Sequence, residues 1–245
     1  MTRRFLYAKM IFMKNNFFSI LFGVAVFFLI ITLSIALPIY LRFFYYLQIN
    51  ALGLPESTGY DYQTIKSAYD EVLNYLTLPF CSFGTGVFSH TAEGASHFAD
   101  CKALFTLNLS ALLASVTVII VTLILNKKKI ISLAKPKGLG ITFYSAVSVL
   151  ILFVVLALVV CIDFNQAFIV FHKLFFAGKD NWTFNPRYDQ IITILPQQFF
   201  MNCAIFIICG IVVFSSSLIT FNLAKRAKSI KCDKNQQKLL TYPLK

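Results

Sequence analysis

Four uncharged apolar windows, a charge balance sorted by segment, and two long polar connections between windows predict an all-α membrane protein for this 245-residue chain. Its plan is four transmembrane helices with an extracytoplasmic cap formed by two outer loops. Hydrophobic residues make up 58% of the chain and charged residues 13%, about half of the roughly 25% charge of a soluble domain. The formal net charge is +12. On a soluble chain that would suggest nucleic acid; on one this apolar it points to a membrane, and no nucleic-acid partner is expected.

A bilayer core about 30 Å thick is crossed by about 20 apolar helical residues. The windows are 15–41, 103–126, 138–162 and 190–224, which trim at interfacial residues to spans 17–39, 104–126, 139–162 and 199–223. The first follows the basic segment 1–16 and resembles a secretory signal as far as Ser34 to Ala36. Its apolar stretch exceeds the roughly 7–15 residues of a signal core, and Pro38 follows closely, so it reads as a retained span. Between the spans lie a first outer loop, 40–103, a basic loop, 127–138, and a second outer loop, 163–198; the basic tail, 224–245, reads as solvated and disordered beyond Lys225.

Charge sorts by side. The amino-terminal segment, the 127–138 loop and the tail carry sixteen basic residues against one acid, Asp233, a balance of +15. The two outer loops carry six basic residues against nine acids, a balance of −3. This is the positive-inside pattern, and an even number of spans then places both termini in the cytoplasm. Of the six cysteines, Cys81 and Cys101 share the first outer loop, where a disulfide is chemically open; Cys161 lies near the outer end of the third span, Cys203 and Cys209 in the fourth, and Cys232 in the tail. No CxxC pair supports thiol redox chemistry or zinc.

Within the first outer loop, Ile65, Ala68, Tyr69, Val72, Leu73 and Leu76 recur at helical spacing opposite Lys66, Asp70, Glu71 and Asn74, and Leu78-Pro79 stops the pattern. Such a helix lies on the membrane surface or caps the bundle. His97, Asp100 and Lys102 follow just before the second span; a helix starting near Ser96 makes His97 and Asp100 i and i+3 neighbours, so the carboxylate can orient the imidazole. The second loop carries His172 among Phe171, Phe175 and Phe176, with Trp182 and Phe184 as an interfacial aromatic belt. Asn185-Pro186 predicts a short helix through Tyr188 and Asp189, and Pro196 a kink or fresh start before the fourth span. All three histidines fall in the outer loops; His97 and His172 each flank a span, while His90 has no comparable company.

Neither GxSxG, HExxH, a phosphate loop nor a dinucleotide turn is present, and no metal or cofactor is expected. Histidine acid–base chemistry at the bilayer edge suits an acyl substrate, because each buried methylene holds a chain in the membrane by about 0.8 kcal/mol.

The run Leu52-Gly-Leu-Pro-Glu56-Ser-Thr58-Gly59, the helix Tyr69 to Leu76 with Pro79-Phe80, and Gly94-Ala-Ser-His97-Phe-Ala-Asp100-Cys-Lys102-Ala-Leu104-Phe105 resemble the Lit-type lipoprotein intramolecular transacylases. So do Phe171-His172-Lys-Leu-Phe175-Phe176, Trp182, Phe184, Asp189, Pro196, Phe199 and Phe200. The resemblance implies a bacterial cytoplasmic-membrane acyltransferase, without cofactor, that moves the sn-2 acyl chain of a diacylglyceryl-modified lipoprotein onto the α-amine of its terminal cysteine. It implies membrane lipid as surroundings, leaves the oligomeric state open with a monomer adequate, and makes His97 and His172 catalytic. Asp100 is expected to assist them, with Lys102, Trp182, Phe175, Phe176 and Asp189 binding substrate. Cys101 stands where the family pattern has an aliphatic residue.

For direct transfer, the ring of N, Cα, Cβ, S, two glycerol carbons, ester oxygen and acyl carbon is eight-membered, so folding the substrate is the main task. The expected division has His97 moving the amine proton, Asp100 fixing its tautomer and His172 stabilising the oxyanion or sharing the proton shuttle; a histidine acyl-enzyme is the other route. A non-catalytic four-span protein with a claudin-like first loop and a Cys81–Cys101 disulfide is the reading from a different class.

Overall fold

The computed structural model describes residues 2–240, with side chains throughout except at 2–9, 159, 161, 235 and 238–240. Arg3, Arg4, Lys9 and Cys161 therefore lie outside the described side chains. The regular structure of the described residues is helical, and they contain no strand. In chain order the helices are α1 (Thr2–Tyr40), α2 (Phe43–Ala51), α3 (Leu54–Thr58), α4 (Tyr62–Thr77), α5 (Ala92–Lys127), α6 (Ile141–Ile162), α7 (Phe164–Phe175) and α8 (Gln197–Leu240), with 3-10 turns at Pro136–Gly138 and Gln190–Ile194. Four of them, α1, α5, α6 and α8, are long and apolar enough to cross a membrane.

These helices exceed the apolar windows. At 1.5 Å per residue the 36 residues of α5 measure about 54 Å, well beyond the bilayer core, so its first turns with Glu93, His97, Asp100 and Lys102 stand clear of the uncharged stretch. Pro38 is inside the last turn of α1, where the loss of one backbone bond is tolerated. The tail expected to be disordered after Lys225 instead continues α8 to Leu240; its lysines and glutamines are good helix formers.

The chain divides into two compact units. The first comprises 1–31, 112–153 and 211–245. Its basic loop is fastened to α1: Asn15 Oδ1 accepts from the Ser132 N–H (3.0 Å) and Ser19 Oγ from the Ala134 N–H (2.9 Å). Asn222 of α8 accepts from Gly140 N–H (3.2 Å) and donates to Thr142 Oγ1 (2.9 Å), anchoring the start of α6. Gly23 is required where α1 meets α6, since a Cβ there would lie 2.7 Å from Ile141 Cγ2.

The second unit, 32–111 and 154–210, is the cap with the adjoining helix ends. The amphipathic α4 starts on Asp61, whose carboxylate accepts from Thr64 N–H (2.9 Å), and buries all six apolar residues of its predicted face. It packs into a core with Tyr45, Ile49, Leu54, Ile191, Ile194 and Phe199, so it is a packing helix of the cap and does not lie flat on a lipid surface. Tyr45 stacks on Tyr69 at 3.6 Å between centroids and donates its hydroxyl to Ile194 O (2.8 Å), which satisfies the one polar atom of a fully buried ring. The short helix expected through Tyr188 and Asp189 is a turn instead. Asn185 Oδ1 accepts from Arg187 N–H (3.0 Å) and Asn185 O from Asp189 N–H (2.8 Å), but helical geometry begins only at Gln190. Pro196 marks a fresh start: α8 begins at Gln197.

Candidate active site

His97 sits in the second turn of α5 and His172 in the last turn of α7, and the fold brings their rings to 5.7 Å between centroids. Both are buried, at 6% and 7% exposure. Thr91 places His97. Its Oγ1 accepts from the Gly94 N–H (3.0 Å) as an N-cap, and its own N–H (2.7 Å) and hydroxyl (2.8 Å) donate to Asp189 Oδ1. Gly94 is forced by the same contact, because a Cβ there would lie 2.6 Å from Asp189 Oδ1 and 3.0 Å from Phe184 Cε1. His172 is placed by α7, a helix capped by Asp163 through Gln166 N–H (3.0 Å).

Aromatic rings wall the pair. Phe176, itself buried, meets His97 edge-on at 4.7 Å and lies 5.6 Å from His172. Phe184 stands 5.5 Å from His97; Phe168 and Trp182 stand 4.2 and 4.9 Å from His172. Burial holds His172 below the ordinary histidine pKa, against the opposing pull of its bond to the backbone, so at pH 7 it is neutral. Two imidazolium rings at this separation would repel by about 3 kcal/mol at an effective dielectric near 20, so the pair carries at most one proton.

Each ring has one engaged nitrogen and one open nitrogen. His172 Nδ1 lies 2.7 Å from Phe168 O. A carbonyl only accepts, so Nδ1 carries the hydrogen and the neutral ring presents a lone pair at Nε2. His97 Nε2 lies 3.4 Å from Cys101 Sγ, while its Nδ1 is buried with no partner. Asp100, expected to orient His97, does not hydrogen-bond to it. Its carboxylate accepts from Lys179 Nζ (2.6 Å) and Asn181 Nδ2 (3.0 Å), tying the second loop to α5.

The other expected residues divide. Trp182 and Phe176 line the site. Asp189 is buried beside it but is committed to Thr91. Lys102 is turned away, its ammonium 4.3 Å from the Tyr75 ring centroid, a cation–π placement one turn off the histidine face. Phe175 is half-exposed and pairs with Phe171 at 4.7 Å, without contacting either histidine ring. Sequence reasoning missed Phe168, Cys101, Lys179 and Asn181 as site neighbours; Phe168 and Cys101 are each four residues from a histidine on its helix, the spacing that signals a shared face. Cys81 and Cys101 are both free thiols, so the disulfide of the claudin-like reading is not formed. Among the described residues no three His, Cys, Asp or Glu side chains converge as a metal site requires.

A family model described as lipoprotein intramolecular transacylase Lit matches residues 20–200, about three-quarters of the chain. Solved structures of the membrane-integral lipoprotein intramolecular transacylase Lit from Bacillus cereus share the fold at 24% identity. One has a TM-score of 0.79 over 89% of this chain and 98% of its own. Two others, each with a single histidine mutated, to arginine in one and alanine in the other, have TM-scores of 0.71 and 0.72 over 94% and 91% of this chain and 100% and 99% of their own. A comparison with curated protein sequences finds no match. With the family model matched over residues 20–200, which include both histidines, and four helices apolar enough to cross a membrane, this integral membrane protein belongs to the lipoprotein intramolecular transacylase Lit family and is an acyltransferase.

Proposed function

We propose that this chain transfers the sn-2 acyl group of a diacylglyceryl-modified lipoprotein to the α-amine of the same terminal cysteine, leaving an N-acyl, S-monoacylglyceryl product. The observation that carries this reading is the buried histidine pair, with one open nitrogen on each ring and aromatic walls on several sides. His172 Nε2, the lone-pair nitrogen, takes a proton from the amine as nitrogen attacks the ester carbon. His97 Nδ1–H donates to the oxyanion that develops. When the C–O bond breaks, His172 returns its proton to the departing glycerol oxygen, so the amine proton ends on the hydroxyl and no cofactor is consumed.

This division reverses the one expected from sequence, because Phe168 O occupies the very nitrogen through which His172 would otherwise have donated. Asp100 then acts through Lys179 and Asn181 as a clamp between the loops, and Asp189 through Thr91. Phe176, Phe184 and Trp182 exclude water and help fold the eight-membered arrangement. The site faces the outer side of a bacterial cytoplasmic membrane and both termini the cytoplasm, a topology supported by the sorting of charge.

The experiment is expression in a bacterium lacking other lipoprotein N-acylation, followed by mass spectrometry of lipoprotein amino-terminal peptides. The N-acyl, monoacylglyceryl form is expected with this chain. Persistence of the free-amine diacylglyceryl form, with the protein present in the membrane, would overturn the reading.

A further inference from the structure

The pair has an asymmetry that the reaction scheme alone does not need. His172 is held by a backbone carbonyl, a partner that fixes its tautomer outright. His97 has no backbone partner; the contact to its ring nitrogens is a thiol, Cys101 Sγ at 3.4 Å from Nε2. His97 and Cys101 are i and i+4 on α5, one turn apart on one face. The carboxylate that could have held this ring, Asp100, is spent on Lys179 and Asn181. The remaining ring atom, Nδ1, is a polar group without partner on a side chain 6% exposed. An unpaired buried polar atom is costly and rare, so one beside a second histidine points to a substrate atom that pairs with it.

We propose that Cys101 is a positioning residue of this site: its S–H donates to His97 Nε2, leaving the ring hydrogen on Nδ1, where it faces the ester oxygen of the substrate. The inference rests on the proposed function. Cys101 packs against the cap core, and a thiol among apolar neighbours remains S–H, a weak donor that lies 3.4 Å from the imidazole nitrogen. The donor chain then runs in one direction, from the thiol through His97 to the developing oxyanion, while His172 keeps its lone pair for the amine proton. A weak donor has a further consequence: His97 is biased toward one tautomer and can still gain hydrogen-bond strength at Nδ1 as negative charge grows on the substrate. An aliphatic residue at position 101 would leave the tautomer to the substrate alone.

The test uses the full chain in detergent with a synthetic diacylglyceryl lipopeptide, comparing wild type, Cys101→Ala and Cys101→Ser. Histidine ¹⁵N resonances, assigned with His97→Gln and His172→Gln, are recorded above pH 7. Wild type is expected to show a proton-free Nε2 on His97 and a protonated Nδ1. Cys101→Ala is expected to mix the two forms and lower kcat about threefold to tenfold, the rate equivalent of one ordinary hydrogen bond, with KM little changed. Cys101→Ser, which keeps a donor on the same Cβ, restores the wild-type tautomer and most of kcat. A wild-type His97 protonated at Nε2 overturns the proposal, and so does an unchanged tautomer ratio and kcat in Cys101→Ala. The functional reading fails separately, if wild type leaves the lipopeptide unconverted or if both histidine variants retain full activity.

Discussion

A ring nitrogen that already holds a partner is closed to a substrate, and that rule assigns His172 its Nε2 and His97 its Nδ1. The roles predict opposite responses to a glutamine, which keeps an N–H donor and has no basic lone pair. His172→Ala and His172→Gln should both lose about 10²–10⁴ in kcat, the range of a general base. His97→Ala should lose about 10²–10³, the effect of one oxyanion donor, and His97→Gln should recover part of it. Single-turnover rates on the lipopeptide check this; recovery by glutamine at position 172 and not at 97 would reverse the roles, and equal recovery at both would overturn the division. Acidity gives a second test. Burial lowers the His172 pKa, so the neutral ring persists as pH falls through about 6.5, and only below that does it gain a proton. The substrate amine titrates near about 7.7–8.0. A plot of log rate against pH should therefore rise with a slope of about one between pH 6.5 and 7.5 and steepen toward two only below 6.5. A slope already near about 1.5 at pH 6.5 would mean that His172 keeps its ordinary pKa.

One scale up, helices place these rings, and the start of α5 depends on a side chain from the other loop. Asp189 Oδ1 takes two hydrogen bonds from Thr91, which caps the helix carrying His97. Asp189→Ala should cost about 1 kcal/mol or more by leaving those part-buried donors unpaired. Gly94→Ala should have the same sign, since its new Cβ meets the same oxygen. Both are expected to lower Tm in detergent, and activity should fall with Tm; an unchanged Tm in Asp189→Ala would remove the cap from this account. The elements were legible in the sequence to the extent that they had a period. α4 was visible because Ile65, Ala68, Tyr69, Val72, Leu73 and Leu76 mark one face, and each is buried. α2 was not, because Phe43-Phe44-Tyr45-Tyr46 is apolar all round, and α7 was absorbed into an aromatic belt although Asp163 stood ready as its cap. The two histidines were legible by position and rarity. Their proposed division of labour was not, since it is argued from Phe168 O, a backbone atom that no side-chain pattern reveals.

At the scale of the whole molecule, charge and fold partition together. The unit made of 1–31, 112–153 and 211–245 contains all sixteen basic residues of the amino-terminal segment, the 127–138 loop and the tail, with Asp233 its only acid, a balance of +15. The unit made of 32–111 and 154–210 carries six basic residues and nine acids, −3, and holds His97 and His172. Each of the four long apolar helices contributes residues to both units. Lys and Arg near the ends of spans resist translocation, whereas acids contribute little, so sixteen cations against six give one orientation a strong advantage. The proposed orientation puts the basic residues in the cytoplasm and the histidines at the outer leaflet, where the proposed lipoprotein substrate would present its acyl chains and amine. Two single-cysteine chains test this, built on a background with the other cysteines replaced: one retaining Cys232, exposed in the tail of α8, and one carrying Asp180→Cys in the second loop, also exposed. In intact cells whose outer barrier is open to the reagent, a membrane-impermeant maleimide should label the Asp180→Cys chain at once and the Cys232 chain only after lysis. Labelling of Cys232 before lysis, with the other site protected, would invert the topology and move the proposed chemistry to the face where the substrate's amine is not presented.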